Sequence, residues 1–160
     1  MTAIIEIAYR IDSSEPGYQV YLRNKRRDDL PKIHDAERTV LFVHGATYAS
    51  SLTFDYEIEG ASWMDQLASQ GFDTWCIDLL GYGSSDRPKA MSEPVEDHPP
   101  ICDTRVAVDD VSRAVAFIQR QRNIPQLNLI GYSWGTIIAG TCAGEHPESI
   151  RKLVLCGALW

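Results

Sequence analysis

Residues 127–135 read LNLIGYSWG, and the rest of the architecture can be inferred outward from this stretch. Its first four residues form a short, mostly apolar run that predicts a strand buried on both faces. The next five fit the pattern G-x-S-x-G, which places Ser133 on a sharp turn between a strand and a helix. The helix is expected to begin at Ser133 and to stop before Pro147. The stretch therefore predicts a strand, a tight turn and a helix, with a serine at the turn.

The two glycines of this turn, Gly131 and Gly135, explain how the serine is presented. A sharp strand-to-helix turn strains its central residue, and side chains at the flanking positions would collide with neighbouring chain. The hydroxyl of Ser133 is thereby pushed outward, as a nucleophile requires. The amide of Trp134 stands at the start of the helix, where unpaired N–H groups and the helix dipole favour a negative oxygen. The side chains of Tyr132 and Trp134 are expected to pack rather than to react.

Buried strands are predicted throughout the chain. Short apolar runs lie at Thr39–Val43, Thr74–Ile77, Leu127–Ile130 and Leu153–Cys156. Ahead of them an antiparallel hairpin is predicted around a Pro-Gly turn, from the β-rich segments Ala3–Asp12 and Tyr18–Arg26. Helical patterns separate the later strands. The alternation predicts an α/β fold, a mostly parallel sheet with helices on both faces.

The helical patterns carry recognisable ends. Ser62 can cap a helix with Trp63 and Leu67 on one face, and Gly71 is placed to end it. A longer helix can be capped by Asp103 or Thr104, and its apolar face is predicted to consist of Val108, Val111, Val115 and Ile118. Its final turn holds two cations that the helix dipole favours, Arg120 and Arg122. The segment 81–100 is too long for a plain crossover, so it is either a solvated excursion or a loop over a substrate pocket.

Length and composition describe an ordinary globular protein. The 160 residues suffice for one domain, with 44% hydrophobic and 23% charged residues. A formal net charge of -7 disfavours nucleic acid and membrane surfaces as partners. The N-terminus has no basic region before an apolar stretch, and no apolar run approaches about eighteen residues. A cytoplasmic protein is therefore expected.

The cysteines and the other ligand-type residues give no sign of a metal or a cofactor. No C-x-x-C pair occurs, and most cysteines lie in or beside apolar runs, so all are expected to be reduced and structural: Cys76, Cys102, Cys142 and Cys156. No cluster of His, Cys, Asp or Glu has ligand spacing. We expect neither a metal ion nor an organic cofactor.

Three motifs together resemble the α/β-hydrolase superfamily. The turn after Thr39–Val43 reads HGAT at residues 44–47, residues 78–85 read DLLGYGSS, similar to D-x-x-G-x-G-x-S, and the G-x-S-x-G turn follows. The resemblance covers most of the chain, from about residue 39 to residue 160. It implies that the backbone amide of Ala46 joins that of Trp134 in receiving a negative oxygen. His44 and Asp78 are expected to be structural, as a packing residue and a turn-former.

The resemblance also implies a catalytic acid and a histidine after the nucleophile, which this sequence does not supply. The residues that follow Ser133 include only Glu145, His146 and Glu148 of these types. A helix rise of about 18 Å carries them toward the opposite edge of the sheet. His34 and His98 lie in polar loops and are expected at the surface. We expect residues 1–160 to be the N-terminal part of a single hydrolase domain without its lid and last strands, leaving Leu153–Cys156 as an open apolar edge.

The expected function is hydrolysis of an ester-like carbonyl substrate, a small molecule, through an acyl-enzyme at Ser133. Without a base the chain alone would be very weak or inactive. A serine at this position argues against the haloalkane and epoxide branches of the superfamily, which have an aspartate there, whereas carbon–carbon bond hydrolysis and perhydrolysis remain open. Two alternatives are an enzyme completed at the open edge by another chain or copy, and a non-catalytic module that binds a partner there by strand addition.

Overall fold

The computed structural model describes residues 3–30 and 35–158, and its sheet runs through the whole of that part. The strands are β1 (Ile4–Asp12), β2 (Gln19–Arg27), β3 (Thr39–Val43), β4 (Asp73–Asp78), β5 (Leu127–Tyr132) and β6 (Ile150–Cys156). Their order across the sheet is β1-β2-β4-β3-β5-β6. The pairs formed among β4, β3, β5 and β6 are parallel, whereas β1 pairs with β2, and β2 with β4, in antiparallel register. The predicted hairpin and the predicted mostly parallel sheet are both confirmed.

Four helices connect the strands: α1 (Ser50–Thr53), α2 (Trp63–Ser69), α3 (Thr104–Arg122) and α4 (Trp134–Glu145). The predicted caps are present. The Ser62 hydroxyl accepts from the Asp65 amide in a capping box at α2, and the Asp103 carboxylate accepts from the Val106 amide at α3. Gly71 follows α2 with a φ of 87°, a conformation that favours glycine. The short α1 was not predicted.

Helices cover both faces of the central strands. Alternate residues of β3 point to opposite sides, with Leu41 and Val43 in a core shared with α3 and α4, and Val40 and Phe42 in a smaller core shared with α2. All five residues of β3 are buried, as are all six of β4. This burial on both faces explains why the sequence of β3 is nearly continuous in apolar residues.

Two of the predicted helix faces can be compared with the structure. The apolar face of α3 is confirmed, because Val108, Val111, Val115 and Ile118 are all buried. The face of α2 is wrong in detail, because Met64 and Ala68 are its buried residues. Trp63 is 42% exposed, although its ring meets the rings of Phe42 and Phe54. The wide indole of Trp63 can reach the core from the edge of the interface between α2 and the sheet. The smaller side chains of Met64 and Ala68 therefore occupy the centre of that interface.

A buried ion pair lies where β4 begins and α3 ends. The Arg122 guanidinium donates to both carboxylate oxygens of Asp73, at 2.7 and 3.2 Å, and to the Asn24 side-chain oxygen at 2.9 Å. The Asp73 carboxylate also accepts from the Trp75 indole at 2.8 Å and from the Asn24 amide at 2.7 Å. The guanidinium carbon lies 4.7 Å from the Trp75 ring centroid. Arg122, predicted as a cation near the helix end, is thus held inside the protein by a partner distant in sequence.

The strand β6 forms one edge of the described sheet and is poorly covered. Leu153, Val154 and Leu155 are 37%, 46% and 46% exposed. Consecutive residues of a strand point to opposite faces, so apolar side chains are exposed on both sides of β6. The predicted apolar edge is therefore present in the described chain.

The long segment 81–100 contains two short 3-10 turns, Lys89–Ser92 and Val95–Asp97, and is mostly exposed. The four cysteines are free; Cys76 and Cys142 are buried, whereas Cys102 and Cys156 are half-buried. Within residues 3–30 and 35–158, no helix is both long and apolar enough to cross a membrane.

Candidate active site

Ser133 occupies a strained position between β5 and α4. Its φ is 53° and its ψ is -122°, and it is the N-cap residue of α4. A positive φ in a residue with a side chain is uncommon and costs of order 1–3 kcal/mol. Hydrogen bonds hold the backbone: the Ser133 amide donates to the Cys156 carbonyl at 3.0 Å, and the amide and hydroxyl of Thr136 donate to the Ser133 carbonyl at 2.9 and 2.6 Å. The serine is half-buried, and in the described part of the chain its hydroxyl makes no hydrogen bond.

The glycines on either side of Ser133 allow the close approach of neighbouring backbone. A Cβ added at Gly131 would lie 2.4 Å from the Gly135 carbonyl oxygen. One added at Gly135 would lie 2.2 Å from the Val43 carbonyl oxygen and 2.6 Å from that of His44. Neither glycine has a positive φ. The glycines are thus required for space, and the backbone strain is concentrated at the serine.

A third glycine, Gly45, lies directly against the candidate nucleophile. A Cβ at this position would be 2.9 Å from the Ser133 Cβ and 3.4 Å from its Oγ. The turn after β3 therefore forms one wall of the site. The sequence indicated that this turn presents the amide of Ala46, but it did not predict the contact of Gly45 with Ser133. Two turns that are distant in sequence can lie side by side without any local pattern that reveals it.

The two amides predicted to receive a negative oxygen, those of Ala46 and Trp134, stand at the turn after β3 and at the first residue of α4. Among residues 3–30 and 35–158, neither N–H donates a hydrogen bond to a protein group. Unpaired N–H groups at the start of a helix favour negative charge. The carbonyl of Ala46, which belongs to the next peptide, accepts from the Tyr82 hydroxyl at 2.8 Å, whereas the Gly45 carbonyl, in the same peptide as the Ala46 N–H, contacts His44 Nδ1 at 2.7 Å.

His44 is a buried structural residue. Its Nε2 accepts from the Leu79 amide at 3.0 Å, so its Nδ1 must carry the proton and donate to the Gly45 carbonyl at 2.7 Å. Burial lowers the pKa of the imidazole below its ordinary value of 6.5. Both ring nitrogens are therefore engaged in joining the turns after β3 and β4, as the sequence led us to expect.

Asp78 organises the turn after β4. Its two carboxylate oxygens accept from the amides of Ser50 and Ser84, at 3.0 and 2.9 Å, and its carbonyl accepts from the Ser85 hydroxyl. A Cβ at Gly83 would lie 2.1 Å from the carboxylate, which explains the glycine at that position. The expected role of Asp78 as a turn-former fits these contacts.

The aromatic neighbours of Ser133 differ from each other. The Trp134 indole donates to the Thr104 hydroxyl at 3.1 Å and packs against the main core, as predicted. Tyr132, also predicted to pack, is 48% exposed, because it is the last residue of β5 and its ring extends over Gly157. The expectation for Tyr132 is therefore wrong, and its phenol borders the open side of the turn.

No described imidazole is placed to activate the serine. His146 follows the last residue of α4, and the adjacent Glu145 pairs with Arg105 at 2.7 Å. His98 is half-buried rather than exposed, and its Nε2 lies 2.5 Å from the Glu93 carboxylate on the long loop. His34 lies outside the described residues. The described site therefore contains a serine and two amides but no general base.

A cavity of about 480 Å³ opens beside the turn after β3. Its lining comes from that turn, from the turn after β4, and from the long loop, and includes Tyr48, Leu52, Tyr82, Met91 and Cys102. Burial raises the pKa of the Cys102 thiol to about 11, so this cysteine stays protonated near neutral pH. Within the described ranges, no group of three or more His, Cys, Asp or Glu side chains is arranged to hold a metal ion.

The sheet order and the strand, turn and helix around Ser133 define an α/β protein of the hydrolase type. The model of the alpha/beta hydrolase fold family matches residues 38–160, and the chain belongs to that family. A probable lysophospholipase from Arabidopsis thaliana is 29% identical over 78% of this chain and 24% of its own length. A probable 1-acylglycerol-3-phosphate O-acyltransferase from Oryza sativa subsp. japonica is 29% identical over 98% of this chain and 35% of its own length. The chain thus spans about a quarter to a third of these relatives.

Solved structures share the fold at low sequence identity. An epoxide hydrolase from Vigna radiata matches 97% of this chain and 41% of its own, with a TM-score of 0.66 and 18% identity. A thioesterase domain from the curacin biosynthetic pathway matches 93% of this chain and 43% of its own, with a TM-score of 0.64 and 18% identity. These neighbours establish the architecture of the described chain.

Proposed function

We propose that this chain supplies the nucleophile and the oxyanion-binding amides of a serine hydrolase that acts on ester-like carbonyl substrates. The single observation that carries the proposal is the positive φ of Ser133 at the start of α4, where its amide donates to the Cys156 carbonyl and Gly45 lies against its side chain. Strain of this kind persists where the surrounding structure enforces it, and it clusters at active sites.

The proposed reaction uses the groups of this turn in defined roles. The Ser133 oxygen attacks the substrate carbonyl carbon while its proton passes to a base, and the carbonyl oxygen becomes negative. The amides of Ala46 and Trp134 donate to that oxygen, which is worth about 3 kcal/mol for one such donor. The leaving group then departs with the proton, leaving an acyl-enzyme on Ser133, and water releases the acid by the same steps.

The base and the acid that orients it are proposed to lie in residues beyond those printed, or in a second chain. The curated relatives are about three to four times longer than the matched region, which leaves room for both groups. The names of those relatives are a probable lysophospholipase and a probable O-acyltransferase. They support acyl transfer at a carbonyl as the chemistry of this chain.

The exposed edge strand β6 favours the hypothesis that further strands complete the site. Its apolar residues are exposed on both faces as well as at its edge, and such a strand is a template for pairing. A continued sheet would cover it. The alternative of a non-catalytic module that binds a partner at the same edge uses the same surface but does not account for the strain at Ser133.

Labelling with a fluorophosphonate probe tests the proposal, in the 160-residue chain and in a longer form continued past Trp160. We expect labelling of the longer form and little of the shorter one, because the base is needed to activate the serine. Ser133→Ala should abolish it, and Gly45→Ala should reduce it by crowding the hydroxyl. Ser92→Ala, at an exposed serine of the long loop, is the matched control and should label normally. Absence of labelling in both forms would overturn the proposal.

A further inference from the structure

The cavity of about 480 Å³ is continuous with the turn that bears the proposed oxyanion amide. Gly45 contacts Ser133, and Thr47, two residues later, lines the cavity. Tyr82 lines it too, and its hydroxyl donates to the Ala46 carbonyl at 2.8 Å. Ala46 and Ser133 are not among the described residues that line the cavity, but Thr47 directly follows Ala46, so the cavity adjoins the turn at which a substrate carbonyl would bind.

The wall of the cavity combines apolar side chains with polar groups of Thr47, Ser51 and Arg87. Tyr48, Leu52 and Met91 contribute side chains that are 61%, 57% and 45% exposed, together with Leu80 and Ile101. Single exposed apolar residues are common, but several around one cavity mark a site for an apolar ligand. This part of the site suits a hydrocarbon chain.

Among the described residues that line the cavity, Arg87 is the one that carries a charge. It is exposed, and in the described part of the chain its guanidinium forms no ion pair or hydrogen bond. The carboxylate of its neighbour Asp86 is engaged elsewhere, with Arg10 at 2.9 Å and with the Gln19 amide at 2.8 Å. In a chain with a net charge of -7, this cation provides a local attraction for an anion.

We infer that this cavity holds the hydrocarbon part of an amphiphilic substrate and that Arg87 binds a phosphate or carboxylate group on it. The inference rests on the proposed function and gives it a substrate class, an anionic acyl ester. Guanidinium groups bind both phosphates and carboxylates through two parallel hydrogen bonds. A neutral ester would leave Arg87 without a partner, so the preference is for the anion.

Calorimetric titration of the chain with decyl phosphate, decanoate and decanol tests this inference. We expect Arg87→Gln to weaken binding of the anions by about five- to tenfold and to leave decanol unchanged. Arg87→Lys should retain most of the affinity, because the charge remains. The matched control is Arg120→Gln, which removes an equal charge from an exposed site at the end of α3 and should have no effect. A larger loss for decyl phosphate identifies a phosphate as the preferred group, and a larger loss for decanoate a carboxylate.

Three results would overturn the inference: equal binding of the anions by wild type and Arg87→Gln, an equal loss in Arg120→Gln, or no binding of any of the three ligands. Added salt should narrow the difference between wild type and Arg87→Gln, because an exposed ion pair is screened. The titration does not depend on the reactivity of Ser133. Labelling of Ser133 without an effect of Arg87 therefore contradicts only this inference, and an effect of Arg87 without labelling contradicts only the proposed function.

Discussion

Polar groups at the beginning of β4 and at the end of β5 lie in opposite kinds of environment. Where β4 begins, Arg122, Asp73, Asn24 and Trp75 pair with one another inside the protein. Where β5 ends, Ser133 has a strained backbone and a hydroxyl without a protein partner among the described residues. Buried polar groups that are fully paired add rigidity, whereas unpaired donors beside a cavity are available to a ligand. The first end is built for stability, and the second has the properties of a site.

The largest effect on stability is expected at the beginning of β4, where Arg122 and Asp73 form a buried ion pair. Arg122→Met would remove the buried guanidinium that pairs with the Asp73 carboxylate, and we expect the free energy of unfolding to fall by about 3 kcal/mol. Asp73→Asn combined with Arg122→Met should recover much of the loss, because neither member of this buried pair then carries a charge. Urea denaturation measures both. The control is Arg120→Met, at an exposed arginine of the same helix turn, and a loss as large as that of Arg122→Met would show that burial of the ion pair is not the cause.

A smaller effect is expected from a methyl group at the site end. Gly135→Ala would place a Cβ 2.2 Å from the Val43 carbonyl oxygen, and such overpacking should cost about 2 kcal/mol. Gly140→Ala in the same helix has nothing within 4 Å of the added Cβ, so it should instead stabilise the protein by about 1 kcal/mol. Thermal unfolding of the two variants distinguishes the signs. If both substitutions stabilised the chain, the close approach of α4 to β3 would be contradicted.

The smallest effect on stability is expected from a change of pH, through the titration of His44. Burial lowers the pKa of His44, so the folded state keeps this imidazole neutral, while the unfolded state takes up a proton as the pH falls below 6.5. Stability from this group is therefore present above that pH and is lost below it, by about 1 kcal/mol between about pH 7 and about pH 5.5. Urea denaturation at the two pH values should show a weaker dependence in His44→Asn. His146→Gln, which removes a half-buried imidazole at the end of α4, should retain the dependence of the wild type.

The sequence predicted those features that rest on local patterns. The strand runs, the Ser62 and Asp103 caps and the apolar face of α3 all depend on residues within a few positions of one another. The α/β class followed from their alternation. The turn at Ser133 could be predicted for the same reason, since its two glycines and its serine lie within five residues.

Features that depend on distant partners could not be predicted. Arg122 was assigned to a helix end, because nothing in its neighbourhood reveals Asp73 as its partner. Gly45 was recognised as part of a turn, but its contact with Ser133 comes from the pairing of β3 with β5. The four-residue α1 is too short to leave a periodic signal, and Tyr132 was placed in packing although its position at the end of β5 exposes it.

The hydrogen bond from the Ser133 amide to the Cys156 carbonyl joins the catalytic candidate to the edge strand. Fraying of β6 would free the backbone of the serine at the same moment, so the two belong to one unit of local opening. Amide hydrogen exchange at Ser133 should accordingly follow that of β6 rather than that of the neighbouring α4. Whatever covers β6 in a larger assembly would, through this bond, also govern how long the nucleophile keeps its geometry.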